Sequence, residues 1–154
     1  MKNEFMSRAI TLSIESVNKG GGPFGSLIVK DNKIISEGFN QVTSTNDPTA
    51  HGEIVAIRNS CKILNSFSLK GCDLYTSCEP CPMCMSAIYW ARIDNVYYAN
   101  TRDDAKKIDF DDSLIYEQLT KSIKERKIRM TQLMRNEALK AFELWDKKTD
   151  KVKY

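Results

Sequence analysis

The sequence has one histidine among its 154 residues, and it has no apolar run approaching the roughly 18 residues that a membrane-spanning helix needs. Its first 15 residues also lack the continuous apolar core of a secretory signal, because charged or polar side chains interrupt each apolar cluster. We therefore expect a cytoplasmic protein that does not engage a membrane.

The sequence also has no large excess of positive or negative charge. The chain carries 23 Lys and Arg residues against 20 Asp and Glu residues, which gives a formal net charge of +3. So small a basic excess does not point to nucleic acid as a partner. The five cysteines are an odd number, and cytosolic proteins rarely pair their cysteines. Metal binding or buried free thiols are therefore the expected uses.

The chain is long enough for one domain with a buried core, and no repeat, low-complexity stretch or long linker divides it. We expect a single domain over 1–154. Apolar spacing and turn residues predict helices at 4–19, after 47–49 through 61, from 80 to about 90 and around 138–145, and strands at 26–30, 33–39, 73–77, 95–99 and 127–133. This alternation indicates an α/β fold, a three-layer α-β-α sandwich around a central five-stranded sheet.

The single histidine, His51, precedes the run Pro-Cys-Pro-Met-Cys at 80–84. Zinc prefers nitrogen and sulfur ligands, and a catalytic zinc ion has three protein ligands and one position open for water. Cysteines three residues apart in the first turn of a helix lie on one face, and the helix N-terminus favours their thiolates. The pattern predicts a zinc site formed by His51, Cys81 and Cys84.

A third cysteine, Cys78, competes for the two cysteine positions. It precedes Pro80, on the turn between a strand and the predicted helix, so we expect its side chain to point elsewhere. An iron–sulfur cluster would need a fourth cysteine; position 88 is Ile, and no cysteine follows Cys84. That alternative is disfavoured.

Glu53, two residues after His51, has two interpretations. As a carboxylate at a helix start it would be stabilised by the helix dipole. Beside a zinc ion it could instead flank the metal without binding it, take a proton from the bound water and pass that proton to a leaving amine. We expect Glu53 to be the general acid and base.

Four segments carry a resemblance to a known family: GGPFGSLIVKD (21–31), NDPTAHGEIVAIR (46–58), LYTSCEPCPMCMSAIYWAR (74–92) and FDDSLIY (110–116). His-x-Glu followed by Pro-Cys-x-x-Cys is the signature of zinc-dependent deaminases. The chain resembles the cytidine-deaminase-like superfamily, and within it the bacterial guanine deaminases. The resemblance implies a mixed sheet between helix layers, one zinc ion per subunit and hydrolysis of guanine to xanthine and ammonia.

The resemblance also implies residues that bind the nucleobase. Asn40 would hydrogen-bond the purine, where a polar turn residue is the alternative. Phe24 and Trp90 would contact the ring, although each could be a core residue. Asp112 would face the guanine edge, with capping of the following helix as the alternative. Tyr154 would close the site of a partner subunit in a homodimer that exchanges a segment at about 135–154; a solvated chain end is the alternative.

One residue departs from the family pattern, and two other functions remain open. Gly52 stands where the family usually has Ala, and we expect it to enlarge the floor of the pocket slightly. A tRNA adenosine deaminase shares the metal motif, and basic residues crowd 121–135, although a solvated face is the favoured explanation of such a run. A purely structural zinc module would need a fourth ligand, such as Cys78.

Overall fold

The sheet begins with the predicted hairpin, which consists of β1 (Gly25–Lys30) and β2 (Lys33–Phe39). Asp31 and Asn32 both have positive φ, 48° and 58°, as a two-residue turn between twisted antiparallel strands requires. β1 also pairs in antiparallel fashion with β3 (Cys72–Cys78), and β3 pairs in parallel with β4 (Asn95–Asn100). The order β2-β1-β3-β4 makes the sheet mixed, as predicted.

The structure, a computed structural model, describes residues 1–154, and the chain divides into two units, Met1–Asp112 and Ser113–Tyr154. No helix in it is both long enough and apolar enough to traverse a membrane. The helices are α1 (Lys2–Asn18), α2 (Val42–Thr45), α3 (Gly52–Ile63), α4 (Pro82–Ala91), α5 (Arg102–Lys106), α6 (Ser113–Thr120) and α7 (Arg135–Lys147), with a 3₁₀ turn at Ile123–Glu125.

The first unit has helices on both faces of the sheet. Side chains alternate between the two faces along each strand. Leu27 and Tyr75 pack with Leu12 of α1 on one face, whereas Ile28 and other residues of the sheet pack with Ile88 of α4 and with α3 on the opposite face. The predicted α-β-α layering therefore corresponds to α1, the sheet, and α3 with α4.

The prediction of a fifth strand at 127–133 is wrong. The sheet has four strands, and residues 127–133 form no regular element. Ile128 and Met130 alternate with Lys127 and Arg129, a pattern with the period of a strand, but both apolar side chains are exposed. A strand is stabilised by pairing with neighbouring strands and not by its own propensity, so periodicity alone does not create one.

The second unit, Ser113–Tyr154, contains α6, the 3₁₀ turn and α7. The predicted closing helix corresponds to α7. None of its residues is fully buried, and Phe142 and Leu144 of α7 are 74% and 72% exposed. A single domain over 1–154 stays a prediction.

The start of α3 lies directly against the backbone of β2. A Cβ atom at Gly38 would lie 2.3 Å from the Gly52 carbonyl oxygen and 2.6 Å from the Ala56 nitrogen, distances at which backbone atoms must move. The Ser36 hydroxyl donates a hydrogen bond of 2.7 Å to the Ala56 carbonyl. The absence of a side chain at Gly38 thus sets the position of the first turn of α3.

We predict that Gly38→Ala lowers the free energy of unfolding by about 1–3 kcal/mol, since the added methyl group has no space. Urea denaturation of the purified variant measures this change. Lys33→Ala, at an exposed position of the same strand, is the control and should change stability by less than about 0.5 kcal/mol. Equal midpoints for Gly38→Ala and the unmodified protein would contradict the close approach.

Candidate active site

The predicted ligands lie at the starts of two helices. His51 occupies the N-cap position of α3 and Cys81 that of α4, both with extended backbone dihedral angles. Pro82 follows as the first residue of α4, where its fixed φ suits a helix start. Cys84, one turn further along α4, is fully buried. Both helices therefore begin directly after a candidate ligand, about two residues later than the sequence predicted.

The distances from His51 to the two cysteines match those of a tetrahedral zinc site. The Nδ1 atom of His51 lies 3.6 Å from the Cys81 Sγ and 3.5 Å from the Cys84 Sγ, and all three ligand atoms lie within 4.8 Å of one another. Zinc–sulfur bonds of ~2.3 Å and zinc–nitrogen bonds of ~2.0–2.1 Å at tetrahedral angles place nitrogen and sulfur about 3.6 Å apart. The donor set and its spacing therefore fit zinc, with a fourth position left for water.

The two thiols differ in acidity. The contact with Cys84, together with that with His51, lowers the pKa of Cys81 to about 4. The same contact with Cys81, with burial, raises the pKa of Cys84 far above its usual range. The contact with Cys81 also raises the pKa of His51. Since a coordinated cysteine is a thiolate, binding of a cation must release the Cys84 proton.

Cys78 lies outside this cluster. Its sulfur is 3.6 Å from the Thr101 carbonyl oxygen, to which the thiol donates, and burial raises its pKa to about 11. The Cys78 thiol is thus engaged with the backbone of Thr101, and Cys78 is not among the residues whose side chains converge as possible metal ligands. The structure thus groups three protein ligands, not four.

Glu53 lies beside the cluster, in the first turn of α3, and is only 6% exposed. Burial raises the pKa of its carboxyl above the usual value, the charge of Cys81 raises it further, and the charge of His51 lowers it. It does not belong to the group of possible ligands. Its place fits a group that exchanges protons next to a metal without coordinating it.

Asn40 is 7% exposed and has a free donor. Its Oδ1 atom accepts a hydrogen bond of 3.2 Å from the Val42 backbone N–H, and this contact fixes the amide orientation. The amide NH₂ group donates to no protein atom. No buried side-chain polar atom lacks a hydrogen-bond partner, so this NH₂ group reaches solvent and is open to an acceptor on a ligand.

Phe24 directly follows the glycine-rich turn and precedes β1. Its carbonyl oxygen accepts a hydrogen bond from the Asn40 N–H, so the two residues predicted to contact the base are neighbours. The Phe24 ring meets Phe110 edge to face. Sequence reasoning did not single out Phe110, although it stands in the FDDS segment.

Asp112, the last residue of the first unit, pairs with Arg102, whose Nη2 atom lies 3.5 Å from the Asp112 Oδ1. Burial raises the pKa of the Asp112 carboxyl, Arg102 lowers it, and the charge of Cys81 raises it further. Asp112 is therefore within electrostatic range of the ligand cluster. Arg102 is another residue that sequence reasoning missed, since nothing local distinguishes it from a solvated arginine.

Two of the predicted substrate contacts, Trp90 and Tyr154, are exposed in this chain. Trp90 is exposed in the last turn of α4, about 9 Å along the helix axis from Cys84. Tyr154 belongs to the second unit, and its side chain is also largely exposed. Their roles at the site stay predictions.

Gly52 does not open the pocket floor in the way we expected. A Cβ atom here would lie 3.2 Å from the Ser26 hydroxyl oxygen and 3.3 Å from the Phe24 carbonyl oxygen, so it would face β1. The Ser26 hydroxyl donates to the Thr76 hydroxyl at 3.0 Å and is fully buried. The space that Gly52 leaves is therefore occupied by a serine hydroxyl of the sheet.

Comparison with known proteins identifies the family. Residues 1–100 match the family model described as the cytidine and deoxycytidylate deaminase zinc-binding region. The chain belongs to this deaminase family. The resemblance found in the sequence is thereby confirmed, and the candidate ligands and Glu53 all fall within the matched zinc-binding region.

Relatives in the family include proteins with two different named activities. Guanine deaminase of Bacillus subtilis (strain 168) is 52% identical over 151 residues, 97% of each chain. A crystal structure of guanine deaminase from Bacillus subtilis matches with a TM-score of 0.96 and 52% identity, covering 99% of this chain and 98% of that one. The tRNA-specific adenosine deaminase of Aquifex aeolicus (strain VF5) is 41% identical over 98 residues, 64% of this chain and 65% of the relative.

We predict that Gly52→Ala and Ser26→Ala are coupled. Gly52→Ala alone should lower the free energy of unfolding by about 1 kcal/mol, because overpacking outweighs the better helix propensity of alanine. Ser26→Ala alone should cost about 1 kcal/mol through the lost hydrogen bond. The double variant should be more stable than the sum of the two changes predicts, by at least about 0.5 kcal/mol in urea denaturation. Strict additivity would show that the two positions do not share space.

Proposed function

We propose that the protein hydrolyses the exocyclic amine of guanine, giving xanthine and ammonia. The observation that carries the proposal is a three-ligand cluster with tetrahedral zinc spacing beside the buried Glu53, in a chain 52% identical to a guanine deaminase over 97% of its length. His51, Cys81 and Cys84 would hold the zinc ion.

When bound, zinc supplies an acidified water molecule whose pKa is near 7. Glu53 would accept a proton from a water molecule that attacks the carbon carrying the amine. It would then deliver a proton to the amine nitrogen, so that the carbon–nitrogen bond breaks and ammonia leaves. The chain has no second histidine, so no imidazole competes for this task. The raised pKa of Glu53 suits a group that must carry the proton between the two steps.

Recognition of guanine depends on residues around the cluster. The free NH₂ group of Asn40 donates to an acceptor of the purine, and the Phe24 ring contacts the base. Asp112, as a carboxylate, accepts from N–H groups on the edge of guanine. A base that lacks the acceptor for Asn40 or the N–H groups for Asp112 leaves polar atoms of the site unpaired, and each unpaired atom weakens binding by about 1–3 kcal/mol.

A tRNA adenosine deaminase is the alternative that the 41% identity to the Aquifex aeolicus relative favours. That similarity covers 64% of this chain, whereas similarity to guanine deaminase covers 97%. Similarity to guanine deaminase is therefore both higher and more extensive than similarity to that tRNA enzyme. A structural zinc module is disfavoured because Cys78 lies outside the cluster, and structural sites usually have four protein ligands.

The active form is a homodimer in which the segment from about 135 to 154 crosses to the partner, and Tyr154 closes the partner's site. The exposure of the second unit supports this arrangement. No side chain from 113 to 154 is fully buried, although α7 carries large apolar residues, among them Phe142 and Leu144. Helices with such exposed apolar faces need a covering surface, and a second copy of the chain offers one.

The substrate is tested by ammonia release from guanine, cytosine, cytidine, adenine and isoguanine, and from a tRNA anticodon stem-loop. We expect turnover of guanine, because the similarity to guanine deaminase extends over nearly the whole chain. Turnover of another base without guanine would overturn the assignment, and turnover of the stem-loop alone would favour the tRNA alternative.

We predict that Glu53→Gln lowers kcat at least about 100-fold, since the amide cannot accept the water proton. Its zinc content, measured by atomic absorption, should equal that of the unmodified protein, because Glu53 is not a ligand. Glu4→Gln, at an exposed position of α1, is the control and should leave kcat unchanged. Full activity in Glu53→Gln would exclude Glu53 as the proton carrier.

Segment exchange is tested by mixing two inactive variants, Glu53→Gln and a chain that lacks residues 148–154. If the tail crosses, a mixed dimer has one complete site, in the shortened subunit. Half of the dimers in an equal mixture are mixed, and each has one active site of two, so about a quarter of the full activity should return. If mixed dimers form and no activity returns, the tail does not complete the partner's site.

A further inference from the structure

Phe110 forms an aromatic corner with Phe24 at the edge of the site. The two ring centroids lie 4.9 Å apart, and the ring planes are at 89°. The turn before Phe110 is fixed by Asp109, which has a φ of 70°, and by a hydrogen bond of 3.1 Å from the Phe110 N–H to the Ala105 carbonyl. Phe110 nevertheless remains 46% exposed, so part of its ring is free to contact a ligand.

Gly22 lies between the Phe24–Phe110 corner and Asn40. A Cβ atom at Gly22 would lie 3.3 Å from the Phe24 Cδ2, 3.4 Å from the Asn40 Cγ and 3.4 Å from the Phe110 Cζ. Three side chains from separate parts of the first unit thus converge on one backbone position. Gly22 permits this convergence because it has no side chain.

The chemistry of the corner favours a flat heteroaromatic ligand. Two rings at right angles offer a face to a planar molecule and an edge to its rim, the arrangements that aromatic pairs prefer. Beside them, the NH₂ group of the buried Asn40 donates to no protein atom, so it is free for an acceptor on the ligand. A two-ring base contacts more of this corner than a single-ring base does.

We infer that Phe110 is a substrate-contact residue that selects bicyclic purines over single-ring pyrimidines, and that Gly22 preserves the space in which it acts. The inference rests on the proposed function, because it assumes that the base lies between the ligand cluster and Asn40. It adds a specificity residue to the site and leaves the chemical step to the metal cluster and Glu53.

The test compares the unmodified protein with Phe110→Leu and Gly22→Ala. For guanine, Phe110→Leu should raise KM about tenfold while kcat changes less than threefold, because the lost contact is with the bound base and not with the reacting atoms. Gly22→Ala should raise KM in the same direction, since its methyl group intrudes on the corner. Phe67→Leu, which removes an exposed phenylalanine elsewhere in the first unit, is the control and should leave both constants unchanged.

Calorimetric binding of hypoxanthine, a purine without the amine, separates this inference from the proposed function. The unmodified protein should bind hypoxanthine, and Phe110→Leu should weaken that binding about tenfold with unchanged zinc content. If guanine is not turned over, the proposed function fails, while the hypoxanthine comparison still decides the role of Phe110. Equal dissociation constants, no hypoxanthine binding at all, or a loss of kcat at constant KM would each overturn the inference.

Discussion

Three ligand atoms on two different helices must lie about 3.6 Å apart for one zinc ion to bind them all, and the fold is arranged around that distance. The start of α3 carries His51 and is held against β2 at Gly38, where no side chain fits. The start of α4 carries Cys81 and Cys84 and follows the end of β3. Because β1 joins β2 to β3, the sheet sets the separation of the two helix starts.

The same arrangement positions Glu53, the proposed proton carrier. Glu53 stands two residues after His51 on α3, so any shift of the helix moves the ligand and the carboxylate together. The site is therefore sensitive to packing under α3, and Gly52 with Ser26 is part of that packing. The buried Asn40 and the Phe24–Phe110 corner are the proposed polar and aromatic contacts for a purine.

The sequence predicts local features better than long-range ones. The hairpin follows from two strand patterns around Asp31 and Asn32, and the metal ligands follow from residue chemistry at short spacing. The false strand at 127–133 came from an alternating pattern whose partner strand the sequence does not specify. Ser26 and Phe110 escaped notice for the opposite reason. Ser26 contacts Thr76, and Phe110 contacts Phe24, in each case across 50 or more residues of sequence, and such contacts leave no local pattern.

X-ray absorption at the zinc edge of the purified protein tests the central claim most directly. A three-ligand site completed by water predicts one zinc ion per chain with two sulfur neighbours at about 2.3 Å and two nitrogen or oxygen neighbours at about 2.0–2.1 Å. Three or more sulfur neighbours would bring Cys78 into the coordination shell and indicate a closed structural site. That result would contradict an open metal centre served by Glu53.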